Sequence, residues 1–159
     1  CGYYPDVNRC TCTESAVRRY LSRISGPILD RIDLSVEAPA IPLDLLAKMS
    51  KGENSEQIRT RVMKARKMQE HRFEGTFYQF NSQIAPKDMK RYCTLRPEEE
   101  TLLAKLLQQQ GASARTYHRV LKVARTIADL EGKEQITKGH ILEALSFRMG
   151  EEKYWRGMV

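Results

Sequence analysis

No run in this sequence approaches the roughly 20 consecutive apolar residues that a membrane span requires, which excludes a transmembrane protein. Cysteine is scarce. The four cysteines stand at Cys1, Cys10, Cys12 and Cys93, three crowded at the start and one alone. That is a poor disulfide framework for a chain of 159 residues, which is long enough to bury a core without staples. A metal knot or plain thiols fit the spacing better, and both predict an intracellular, cytoplasmic chain. Self-sufficient catalytic motifs are missing too. The glycines form no phosphate-cradling loop ahead of a helix, and no Ser, His and acid occur in a familiar local arrangement. His71, His118 and His140 are dispersed, and each reads as a surface or boundary residue. Repeats at solenoid periods and low-complexity tracts are absent. The chain opens at Cys1 with neither Met nor an apolar leader, so it reads as a piece of a longer protein.

What the chain does carry is charge with a positive bias. Lys and Arg number 27 against 20 Asp and Glu, giving a formal net charge of +7 and a pI near 9.3. With 41% hydrophobic and 30% charged residues the composition is globular, and the excess favours polyanionic partners such as nucleic acid or nucleotide phosphates.

Apolar periodicity points to a mainly α fold. Thr13 is placed to cap a short helix with Val17, Tyr20, Leu21 and Ile24 on one face, and Ser25-Gly26-Pro27 stops it. Ile28 to Glu37 reads as a helical turn leading into a single strand, because Ile32, Leu34 and Val36 alternate with polar residues. One strand makes no sheet, so its partners are expected upstream. Pro39, Pro42 and Gly52 mark a boundary, dividing the chain into a first part over 1–39, a linker over 40–53 with a helical turn at Leu43 to Met49, and a helical part over 54–159. Asn54 and Gln57 stand at capping-box spacing before a long helix to about Phe73. Its apolar side is Ile58, Val62, Ala65 and Met68, and its other side carries Arg59, Arg61, Lys64, Arg66, Lys67 and Arg72. Pro86 opens a short helix. Pro97 with Glu98 to Glu100, then Ser113, then Thr137 start three more, stopped in turn by Gly111 and Gly132. Leu102, Leu103, Leu106 and Leu107, then Tyr117, Val120, Leu121, Ala124 and Ala128, then Ile141, Ala144, Leu145 and Phe147 face inward. Short connections make this a small antiparallel bundle.

Several segments together carry a specific resemblance. They are Cys1-Gly2-Tyr3 with Cys10-Thr11-Cys12, the run Ser25-Gly26-Pro27-Ile28-Leu29-Asp30-Arg31-Ile32-Asp33-Leu34, the helix from Arg61 to Arg72, Asn81-Ser82-Gln83-Ile84, and the run from Ser113 to Gly132. Across essentially its whole length the chain resembles the C-terminal part of the magnesium-chelatase-like AAA+ ATPases of the ComM/YifB type. The resemblance implies a helical AAA+ lid preceded by a remnant of an α/β nucleotide-binding core, in a homohexameric ring that binds ATP and Mg2+ between subunits. It makes Arg31 the arginine finger acting in trans, a sensible role because a guanidinium stabilises the charge spread over a transferring phosphoryl group. It makes Arg115 the sensor 2 residue on the same subunit's nucleotide, with Arg119 one turn on assisting. The plainer readings are an Arg31 ion pair with Asp30 or Asp33, and a solvated basic face of Arg115, Arg119 and Lys122.

Cys1, Cys10 and Cys12 suit three thiolate ligands of a tetrahedral zinc, and the resemblance places a fourth cysteine just upstream; free thiols are the alternative. Arg59, Arg61, Lys64, Arg66 and Lys67 are placed to contact DNA phosphates or to form a solvated helix face. Tyr3, Tyr4, Phe77, Tyr78 and Phe80 are candidates for stacking on bases or for local packing. The resemblance further implies a DNA-stimulated helicase or translocase, inactive as this piece alone because the Walker loops lie elsewhere. Two other readings remain open: an autonomous basic helical DNA-binding module with a zinc-bound N-terminus, and a subunit of a motor that powers metal insertion.

Overall fold

The computed structural model describes residues 1–6, 8–29, 31–38, 41 and 52–148. The molecule divides into two compact units, Cys1–Glu37 together with the chain from Ser146, and Ala38–Leu145. Among the described residues all regular structure is helical, which agrees with the expected mainly α fold. The expected helical turn at Leu43 to Met49, most of the linker and residue Asp30 lie outside the described residues.

In the first unit, α1 (Glu14–Leu21) begins where Thr13 Oγ1 accepts the Ala16 N–H at 3.3 Å, and an Arg18–Glu14 ion pair at 2.6 Å spans one turn. Only Val17 of its expected face is buried; Tyr20 and Ile24 are exposed. Helix α2 (Gly26–Leu29) is a single turn. The strand expected over Ile32 to Val36 is not formed. A strand needs a neighbour to complete its ladder, whereas here Ser35 N–H donates to the Phe147 carbonyl at 2.8 Å and Arg148 Nη1 donates to the Ile32 carbonyl at 3.3 Å. Ile32, Leu34 and Val36 all remain exposed.

The second unit holds the core. Helix α3 (Ser55–Arg72) starts on a complete capping box, with Asn54 Oδ1 accepting the Gln57 N–H and Gln57 Oε1 accepting the Asn54 N–H, both at 2.9 Å. Its C-terminal half packs on α6 (Ala114–Leu130), while Ile58, Val62 and Met63 in its N-terminal half stay exposed. Beyond α3, Phe73, Tyr78 and Tyr92 meet edge to face with centroids 5.1 to 5.9 Å apart. Two 3-10 turns, Asn81–Gln83 and Pro86–Asp88, lead into α4 (Met89–Tyr92).

Helix α5 (Pro97–Gln109) buries Leu103 and Leu107, and α6 buries Val120, Leu121, Ala124 and Ala128. Both helices end the same way. Gly111 and Gly132 adopt φ of 59° and 71°, and the next amides reach back to the Leu107 and Ala128 carbonyls at 2.9 and 2.8 Å. Positive φ is unstrained only for glycine, which is why these two residues can close helix ends in this way. Helix α7 (Lys138–Ser146) completes the bundle through Ile141, Ala144 and Leu145. Phe147 lies past its end and is half-buried.

His140 departs from its expected surface position. It is buried; its Nδ1 accepts the Thr137 N–H at 3.0 Å and its Nε2 lies 3.0 Å from Glu131 Oε2. A backbone amide only donates, so Nδ1 carries the lone pair and Nε2 the proton. The ring reaches back from the third helical position to the residue before α7, which is half of a capping box.

Candidate functional site

Arg31 sits in the turn that follows α2. Its backbone N–H bonds the Ile28 carbonyl at 2.9 Å, and its exposed guanidinium lies 3.4 Å from the Pro27 carbonyl through Nη1. Pro27 belongs at the start of that turn because it needs no N–H partner there.

Arg115 is the second residue of α6, exposed, and makes no hydrogen bond or ion pair among the described residues. Ser113 caps the helix by accepting the Thr116 N–H at 3.2 Å. The unpaired amides of the first turn and the dipole make this end favourable to an anion. Arg119 follows one turn later and is half-buried. Lys122 does not extend a solvated stripe, because its Nζ donates to the Ser82 carbonyl at 2.8 Å.

The three N-terminal cysteines are brought together across a loop. Their sulfurs all lie within 4.8 Å of one another, with Cys1 3.6 Å from Cys10 and 3.3 Å from Cys12. Zinc-thiolate bonds of about 2.3 Å in a tetrahedron put sulfurs about 3.8 Å apart, so the spacing suits a thiolate metal site. Cys93 is not part of this group. It is buried in the second unit, and burial pushes its thiol up from 9.0 to about 11.

The basic residues of α3 divide by environment. At about 100° per residue, Arg59, Lys64 and Lys67 fall away from the buried Ala65 and Gln69 and are exposed. Arg61 pairs with Glu53 at 2.7 Å, and Arg66 lies over the Phe80 ring at 4.0 Å. Of the aromatic residues considered for stacking, Tyr78 is buried with its hydroxyl donating to Asp88 at 2.6 Å, and that bond raises its pKa. Tyr3 carries Arg9 at 4.2 Å, while Phe77 is 81% exposed.

Arg72 leaves the basic face altogether. Its guanidinium forks onto the Asp129 carboxylate and also donates to Asn81 Oδ1 at 3.0 Å. Asp129 further accepts from Asn81 Nδ2 at 2.8 Å and from Arg125 Nε at 3.2 Å. The Asn81 backbone N–H in turn donates to Gln69 Oε1, and its side-chain amide also donates to Thr126 Oγ1. Arg125 is buried, and its other nitrogens donate to the Lys133 and Glu134 carbonyls; burial lowers its pKa and the Asp129 charge offsets part of that. This network ties α3, the Asn81 turn, α6 and the loop after α6 together. Sequence reasoning did not single it out, although Arg72, Asn81 and Asp129 each lie in a segment that carried the resemblance.

The chain matches known sequence families over both parts. Residues 52–148 match the magnesium chelatase subunit ChlI C-terminal region, and residues 1–46 match magnesium chelatase subunit ChlI. The chain belongs to this magnesium-chelatase-like AAA+ family, in its ComM/YifB branch. It is 41% identical over 148 residues to competence protein ComM of Haemophilus influenzae and 40% identical over 148 residues to the uncharacterized protein YifB of Escherichia coli, in each case covering 92% of this chain and 28% of the relative. An uncharacterized protein of Mycobacterium tuberculosis is 32% identical over 145 residues, 90% of this chain and 28% of its own length. The chain therefore spans just over a quarter of the relatives it matches. No helix among the described residues is long and apolar enough to cross a membrane.

Proposed function

We propose that this chain is the C-terminal lid part of a homohexameric, cytoplasmic AAA+ ATPase that uses ATP and Mg2+ and is a DNA-stimulated helicase or translocase. The observation that carries the reading is Arg115, exposed and without a partner among the described residues in the first turn of the Ser113-capped α6, in a family whose members are AAA+ proteins. There it contacts the nucleotide phosphates of its own subunit, assisted by Arg119, and Arg31 supplies the finger to the neighbouring subunit. Residues 1–39 then belong to the core, 40–53 form the linker and 54–159 the lid with its long helix, the chain from Ser146 grouping with the first unit.

Cys1, Cys10 and Cys12 hold a zinc ion whose fourth donor comes from outside these residues; the metal would pin the loop and supply no step of hydrolysis. Arg59, Arg61, Lys64, Arg66 and Lys67 contact DNA phosphates, Arg59, Lys64 and Lys67 being the most accessible.

The test is ATP turnover in the full-length protein and in this chain. The chain alone should show no turnover, because its glycines form no phosphate-cradling loop. In the full-length protein, Arg115→Ala should lower turnover about tenfold or more, the weight of a charge-assisted contact to phosphate. Turnover by the isolated chain, or an Arg115→Ala protein as active as the original, overturns the reading.

A further inference from the structure

The second unit contains a cavity of about 260 Å³ walled by four arginines, Arg72, Arg91, Arg96 and Arg125, with Tyr92 and Ile136 as apolar lining. The arginines come from four stretches of chain: the end of α3, α4, the residue before α5, and the middle of α6. Their partners leave a positive surplus. Arg72 and Arg125 share one carboxylate, Asp129. Arg96 is held by a neutral amide, Gln135 Oε1 at 2.8 Å, and Arg91 lies 5.2 Å from the centre of the Tyr92 ring. The carboxylate among the lining residues is that of Glu134, an exposed residue. Four cations thus meet two anions, one of them fully committed inside the wall.

The wall is rigid as well as charged. Arg125 is 3% exposed and is fixed on both sides by Asp129 and by the Lys133 and Glu134 carbonyls. It contributes field from the floor more than free donors. Arg91 and Arg96 supply the donors at the mouth, since each guanidinium has five N–H groups and Arg96 commits one of them to Gln135. Holding Arg96 on Gln135 and Arg91 on an aromatic face removes part of the ordering cost that a ligand would otherwise meet.

We propose that this cavity binds a phosphate-class anion, either inorganic phosphate or the terminal phosphate of a small phosphomonoester. A planar carboxylate is satisfied by a single guanidinium fork, whereas a tetrahedral oxyanion accepts from several donors arriving from separate elements. The volume lies just below the usual range of organic-ligand pockets, about 300–1,000 Å³, which suits phosphate with little attached. Neither Arg31 nor Arg115 lines this cavity, and the proposal stands whether or not those two arginines contact ATP.

The experiment is a thermal-unfolding and 31P NMR titration of the chain at constant ionic strength, with inorganic phosphate, glycerol phosphate and acetate as the probes and chloride as the compensating anion. Phosphate or glycerol phosphate should raise the melting temperature saturably and broaden the phosphorus signal, and the tighter of the two identifies the source; acetate should do neither. The variant Arg91→Ala/Arg96→Ala alters exposed residues and should fold, yet weaken phosphate about tenfold or more per guanidinium removed. Arg115→Ala should bind phosphate as the original does. Three results would each overturn the proposal: no saturable effect up to about 50 mM phosphate, equal binding by the double variant, or binding lost on Arg115→Ala. If the double variant is itself destabilised, Arg96→Lys takes its place, and undiminished affinity there counts against the site in the same way.

Discussion

Asp129 is the residue on which the second unit turns. Its carboxylate accepts four bonds from Arg72, Asn81 and Arg125 with its side chain fully buried. Asp129→Asn keeps the shape but turns an amide toward two guanidiniums, leaving buried cations without a counter-charge. That should cost about 3–5 kcal/mol, the weight of breaking a buried pair from one side, read as a lower urea midpoint with an unchanged slope. Cys93 gives a second prediction at this scale. Its folded-state pKa is raised from 9.0 to about 11 by burial, so the folded protein holds the thiol proton more tightly than the unfolded chain does. The stability this contributes is complete below pH 9 and is lost as pH rises toward 11. The melting temperature should fall across that window, and Cys93→Ala should flatten the fall. Equal pH dependence in the variant would rule Cys93 out as the group responsible.

At the scale of elements, helix starts and stops were legible because they are local chemistry. Thr13, Asn54 and Ser113 cap as their spacing predicts, and Gly111 and Gly132 close helices through positive φ. The strand was not legible as absent, since alternation in Ile32, Leu34 and Val36 reports a pattern and not the presence of a neighbour to pair with. Arg72 was indistinguishable from the other basic residues of α3, because its partner Asp129 is 57 positions away. Arg125 and the buried role of His140 were hidden for a different reason, since their partners are near in sequence but the contacts depend on how the loop after α6 folds back. The Ser113 cap carries the prediction that belongs here. Ser113→Ala should cost about 1 kcal/mol, seen in denaturant melts. In the full-length protein it should also raise the KM for ATP if the start of α6 holds Arg115 against phosphate, whereas a purely structural cap would leave KM unchanged.

For the whole molecule, the central question is on which side of a subunit boundary Arg31 works. The family match spans both parts of the chain but only 28% of the relatives, so the nucleotide pocket proposed for the full-length protein must be completed by residues beyond these. An exposed guanidinium held loosely, with 3.4 Å to the Pro27 carbonyl, has donors available for a phosphoryl group outside its own unit. In the full-length protein, Arg31→Ala should lower ATP turnover about 10³-fold or more, the usual weight of an arginine finger, while nucleotide binding measured by fluorescence titration stays within a few-fold. A finger in trans has a further signature. Mixing Arg31→Ala subunits with subunits defective in their own phosphate-binding loop should restore part of the turnover, because some interfaces then pair an intact loop with an intact finger. Arginines acting within their own subunit allow no such rescue. Loss of nucleotide binding together with no recovery on mixing would assign Arg31 a structural or same-subunit role and remove the trans contact from the proposal.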